Sequence, residues 1–98
     1  MKLTRHAQEE RLERLAYIGA TIGFGKPIKE DRYQSQCYQQ LTDTGVILIK
    51  SEDRTKLITA YIATERKVKA MYHGRVPKAV MQVVIKNRLH SDLTSFFY

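Results

Sequence analysis

Cysteine is almost missing from this chain. Cys37 stands alone among 98 residues, so no internal disulfide can staple the fold, and such usage suits a reducing cytoplasm. Cys37 itself reads as a small half-buried strand residue rather than a reactive thiol. Metal chemistry has equally little to work with. His6, His73, His90 and Cys37 have no paired spacing, and neither HExxH nor CxxC occurs, so no metal ligand is nominated. Gly23-Phe24-Gly25-Lys26 lacks the further glycine and the Ser/Thr of a phosphate-binding P-loop. No spacing marks a Ser/His/Asp triad. Most cofactor enzymes are thereby set aside, and no cofactor is expected. No apolar segment approaches the roughly 20 residues that span a bilayer, and no apolar run follows Met1-Lys2. The expectation is a soluble cytoplasmic protein with neither membrane partner nor secretion signal.

Acidic residues are also sparse. Seventeen Lys and Arg face ten Asp and Glu, giving a formal charge of +7 and a pI near 9.7. The excess is lopsided: Met1–Gly45 carries a net +1 and Val46–Tyr98 a net +6. An anionic partner is the first expectation, and nucleic acid leads, because counterion release rewards each cation placed on a phosphate. A hydrophobic fraction of 43% argues for a folded chain, and the length suits one domain without staples.

The order of periodicities is helix, strands, helices. Leu12, Leu15, Ile18 and Ile22 form an apolar stripe predicting a helix from Thr4, its N-cap, to about Ile22. Glu10 and Arg14 are spaced for an i,i+4 pair on its polar face. Gly19 is a candidate break, and Gly23, Gly25 and Pro27 end the segment. Pro27–Asp31 reads as a short edge strand and Tyr33–Leu41 as a polar half-exposed one, followed by the turn Thr42-Asp43-Thr44-Gly45. Val46–Ser51 and Leu57–Ile62 flank a charged turn and form a central hairpin. Thr64-Glu65 opens a helix with Val68, Met71 and Tyr72 inward and Gly74 as its stop. Pro77 suits the first position of a last helix, whose Val80, Val83, Val84 and Met81-Ile85-Leu89 row are apolar over half its circumference. Such a helix wedges on the sheet or pairs with a second copy. Phe96-Phe97-Tyr98 is expected to dock on the core. The fold class is therefore α+β: an N-terminal helix on a three- to four-stranded antiparallel sheet, followed by C-terminal helices.

Within Leu57–Ile62, alternation separates Ile58, Ala60 and Ile62, expected to face the core, from Leu57, Thr59 and Tyr61. Thr59 and Tyr61 then lie beside Ile49 or Lys50 according to register. Lys50, Arg54 and Lys56 occupy the same hairpin, and Arg66, Lys67, Lys69, Tyr72, His73, Arg75 and Lys78 form a basic segment with interleaved aromatic rings. Such a surface can stack bases while holding phosphates. The alternative is a solvated charged face. RNA cleavage needs no cofactor, because the 2′-hydroxyl is the nucleophile. A protein must only move protons and stabilise the phosphorane.

His6-Ala7 ahead of Glu10-Arg11-Leu12-Glu13-Arg14, a Gly-containing connection, then Val46–Ile49 and Leu57-Ile58-Thr59-Ala60-Tyr61 together resemble small toxin-like domains. These belong to the RelE/barnase/colicin-type ribonuclease superfamily, particularly compact members with an "HA…R…R" first helix. The resemblance covers about residues 4–62, with 63–98 as a helical extension of the one domain. It implies a helix on a twisted sheet whose open face binds RNA. Metal-independent endoribonuclease activity, or toxin-like RNA binding, follows from it. His6, Arg14, Thr59 and Tyr61 would be the catalytic residues, with Arg11 on the RNA. An acidic antitoxin or inhibitor would be the protein partner. Glu10 stands where the pattern has an arginine, and Arg11 is one place late, roughly 100° around the helix. The alternative is accordingly a non-catalytic module of the same fold, of mobile-element or phage type. It would bind nucleic acid or protein and could dimerise through the last helix.

Overall fold

The computed structural model describes residues 5–90, 96 and 97, with side chains from Gln8 onward. Helix α1 (Arg5–Thr21) leads into β1 (Pro27–Gln34), β2 (Cys37–Thr42), β3 (Val46–Ser51) and β4 (Leu57–Ile62), followed by α2 (Glu65–Met71) and α3 (Lys78–Leu89). The expected N-cap, Thr4, lies outside the described residues. Gly19 does not break α1. The helix ends where Gly23, at φ 83°, donates its N–H to the Ile18 carbonyl at 2.7 Å, a left-handed closure that glycine adopts without steric cost. Thr64 caps α2 by accepting from the Lys67 N–H at 3.2 Å. Pro77 is the N-cap of α3 rather than its first helical residue.

The four strands form one antiparallel meander in the order β1-β2-β3-β4, with β1 and β4 at the edges. One expectation needs correcting here. Tyr33–Leu41 is not a single strand: β1 continues to Gln34, the chain turns at Ser35-Gln36, and Gln34 pairs with Cys37. A run of Gln, Ser and Tyr alternates as well through a tight turn as along a strand, so its pattern hid the reversal. Arg32 secures the turn by donating from Nη1 to the Ser35 carbonyl at 3.0 Å.

Helices pack on both faces of the sheet. On one, Ile18 of α1 packs with Val46, Leu48, Ala60 and Ile62, bordered by Leu15, Tyr17, Ile22, Phe24, Phe96 and Phe97. On the other, Val68 and Met71 of α2 and Val84 of α3 pack with Leu41, Ile47, Ile49 and Ala63. Full burial of such side chains contributes about 1.5–3 kcal/mol each. The terminal aromatics dock as expected for Phe96 and Phe97. The Phe96 ring meets Tyr17 edge-on at 5.0 Å, and Phe97 makes a parallel bridge to Ile62 on the outer edge of β4. Tyr98 lies outside the described residues.

Ile58 departs from its expected place in the core. Ile49 pairs with Thr59 and Lys50 with Leu57, so Ile58 is the extra residue of a β-bulge. The bulge removes it from the alternation and leaves it exposed, next to the exposed Leu57. Leu12 likewise falls outside the buried stripe of α1 and is 60% exposed.

Candidate nucleic-acid interface

α2 is a short helix with a firm inward side. Val68 and Met71 are buried, so Arg66 and Lys69, one turn apart, project to solvent. The helix closes with the Gly74 N–H donating to the Lys69 carbonyl at 2.8 Å. Both His73 (φ 54°) and Gly74 (φ 84°) are left-handed there. For histidine this conformation is uncommon and strained. It holds His73 out at the end of the Arg66–Lys69 ridge, and Arg75 and Lys78 continue the exposed basic surface into the start of α3. The cations Arg66, Lys69, Arg75 and Lys78 of the basic segment nominated from sequence, with His73, are thus exposed from α2 to the start of α3, while Lys67 and Tyr72 are half-buried.

That ridge borders the edge strand β1. The Lys67 Nζ lies 5.5 Å from the Tyr33 ring centroid, and the Lys29 Nζ lies 5.3 Å from the Tyr72 ring centroid, both within cation–π range. Burial pushes the Lys67 ammonium below the ordinary lysine value, against the pull of Tyr33 and Asp31. Lys29 and Tyr33 escaped the sequence reading. Their strand is polar throughout, and only the packing of α2 across it makes them neighbours of the basic segment.

The hairpin cations lie elsewhere. Lys50 is half-buried on the α1 side of the sheet, since Ile49, not Lys50, stands opposite Thr59. Arg54, left-handed at φ 64°, donates from Nε and Nη2 to the two Glu30 carboxylate oxygens at 2.7 and 2.8 Å. Its guanidinium carbon also stands 3.8 Å from the Tyr38 ring centroid, with that of Arg32 at 4.6 Å. The Arg54 and Gln40 hydrogen bonds hold the Glu30 carboxyl at about 2, far below its ordinary 4.5, and Glu30 in turn raises Arg54. Arg54 is therefore engaged within the fold. Lys56 is exposed at the end of the loop, its N–H donating to the Ser51 hydroxyl at 3.1 Å. The Asp53 carboxyl in that loop is lowered to about 2 by hydrogen bonds from Ser51 and Thr55.

Three of the four residues nominated for catalysis meet. Arg14 reaches from α1 across the outer edge of β4. Its Nε donates to the Ala60 carbonyl at 2.8 Å, its Nη2 to the Thr59 hydroxyl at 2.6 Å, and its guanidinium stacks 4.1 Å from the Tyr61 centroid. Arg14 thereby satisfies a carbonyl on the edge of β4 away from β3, an edge that otherwise meets only the Phe97 bridge among the described residues. Thr59 is buried, and Tyr61 packs against the cluster under α2 and α3. These two lie on a covered face, not on the open face that the toxin-like resemblance implies. His6 belongs to the first turn of α1, with its side chain outside the described residues. Arg11 is half-buried on α1. Among the described residues no group of three His, Cys, Asp or Glu could hold a metal ion, and no helix is long and apolar enough to cross a membrane.

Compared with protein-family models, curated proteins and solved structures, the chain matches none.

Proposed function

We propose that this protein binds RNA through the outer ridge formed by Arg66, Lys69, His73, Arg75 and Lys78. The observation that carries this reading is the segregation of α2. Its large apolar residues, Val68 and Met71, are spent on the core, and Arg66 and Lys69 are left exposed ahead of the left-handed His73-Gly74 corner, where His73, Arg75 and Lys78 are exposed in turn. Each such cation placed on a phosphate adds affinity by releasing a counterion. A gel-shift titration with labelled RNA tests it. Binding that weakens steeply with salt, and that is weaker in the Arg66→Gln/Lys69→Gln variant, is the expected result. Binding independent of both would refute it.

A second reading, metal-independent endoribonuclease of the toxin-like kind, is favoured by one observation: Arg14, Thr59 and Tyr61 converge although widely separated in sequence. Against it, Nε and one Nη of Arg14 are already engaged inside the fold. Cleavage of RNA in EDTA that disappears in Tyr61→Phe supports this reading. Intact RNA leaves the binding module. The acidic antitoxin belongs to this second reading, whereas a homodimer through α3, where Leu89 is 70% exposed, belongs to either.

A further inference from the structure

The seam between β1 and α2 joins cations to aromatic rings in a crossed arrangement. Lys29 and Tyr33 lie on β1; Lys67 and Tyr72 lie on or just after α2. Each lysine sits over the ring from the other element, Lys29 on Tyr72 and Lys67 on Tyr33. α2 therefore runs antiparallel to β1, and the two rings mark opposite ends of the seam. Lys29 and Tyr33 are four strand residues apart, roughly 13 Å. Lys67 and Tyr72 are five residues apart along a helix, roughly 7 Å.

Both tyrosines are half-buried and packed against the core cluster of Leu41, Ile49, Val68 and Met71. Their orientation is set by the fold, so stacking removes little tyrosine side-chain entropy, and a base that stacks takes the place of the lysine over each ring, which moves onto a phosphate. A duplex makes poor use of such rings. Its bases are stacked inside, and it offers a protein mainly phosphates and 2′-hydroxyls. Unpaired bases, in contrast, stack on aromatic side chains while their phosphates find nearby cations. Asp31 shares a strand face with Lys29 and Tyr33 and lies between them. Its carboxylate also pulls on the Lys67 ammonium, which offsets part of that lysine's attraction for phosphate.

We infer that the nucleic acid taken by this protein is unpaired RNA, whose bases stack on Tyr33 and Tyr72 while its phosphates lie along Lys29, Lys67 and the Arg66–Lys69 ridge. The inference rests on the RNA-binding reading above and adds to it the strandedness of the ligand and two residues of β1.

Fluorescence anisotropy with a short labelled RNA that cannot self-pair, and with the same RNA annealed to its complement, tests it on the full chain. The single strand is expected to bind at least about tenfold tighter than the duplex. Tyr72→Leu should weaken the single strand by about tenfold and leave the duplex unchanged, whereas Tyr72→Phe, which keeps the ring, should bind as the native protein does. Equal affinity for single-stranded DNA with the same tyrosine dependence also supports stacking, because a ring contact ignores the sugar. Duplex binding as tight as single-strand binding, or a Tyr72→Leu variant that binds the single strand unchanged, overturns the inference and leaves the RNA-binding reading standing. No binding to either RNA defeats that reading itself. The comparison of the two RNAs on native protein decides the matter even where a tyrosine variant fails to fold.

Discussion

The Arg14 guanidinium donates to the Thr59 hydroxyl across forty-five positions of sequence, Nη2 to Oγ1 at 2.6 Å, while its Nε holds the neighbouring Ala60 carbonyl at 2.8 Å. α1 is thereby tied to the edge of β4 by a fork that lysine cannot reproduce. Arg14→Lys should destabilise the fold by about 1–2 kcal/mol, and the loss should be smaller when Thr59 is already valine. A double-mutant cycle by urea unfolding measures this. A coupling energy of about 1 kcal/mol is expected, and strictly additive losses would contradict the clamp.

Glu30 sets a pH dependence. Its folded carboxyl stands at about 2 against an ordinary 4.5 because Arg54 and Gln40 donate hydrogen bonds to it. The folded state holds the proton more weakly than the unfolded chain, so the pair's contribution is fully present above about pH 4.5. It is lost as pH falls toward 2. Asp53, lowered from 3.8 to about 2, acts in the same direction over the lower part of that window. Acid unfolding of Glu30→Gln should show a shallower loss of stability between pH 4.5 and 2 than the native protein shows. Identical acid limbs would rule out the pair as a source.

Ile58 and Ile62, four residues apart in β4, should respond very differently. Ile58 occupies the bulge and is 37% exposed, whereas Ile62 is fully buried. Ile58→Thr is expected to shift stability by less than about 0.5 kcal/mol, and Ile62→Ala to cost about 3 kcal/mol. Thermal unfolding of the two variants checks the register directly, since a regular strand would make both costly.

His73 carries backbone strain at φ 54° on the surface proposed to hold RNA. His73→Gly removes the Cβ penalty and should stabilise the fold by about 1 kcal/mol, while weakening RNA binding. Melting temperature and binding affinity moving in opposite directions are the expected pair of results. A stabilised variant with unchanged affinity would place His73 outside the interface.

Much of the architecture was legible from local signals. Thr64 and Gly74 delimit α2 by capping chemistry, and the apolar runs of β3 and β4 declare a hairpin whatever they pack against. Features that depend on how elements meet were not legible. The bulge at Ile58 is a property of β3–β4 register, invisible in a strand that alternates perfectly on paper. The turn at Ser35-Gln36 lies in a polar stretch with no glycine or proline to mark it. Arg14 was nominated as a site residue, but its reach over the β4 edge follows from where α1 lands on the sheet. For the interface, sequence supplied the cations of α2. It could not supply Lys29 and Tyr33, which reach that surface only because β1 is the edge strand beneath α2.

The salt dependence of RNA affinity tests the central claim most directly. For a single strand, each phosphate neutralised contributes roughly 0.7 to the slope of log affinity against log salt. Native protein should show a steep negative slope, and Arg66→Gln/Lys69→Gln should reduce it by roughly 1.4 with the fold intact by circular dichroism. An unchanged slope in that variant, or no RNA binding by native protein even at low salt, would contradict the account.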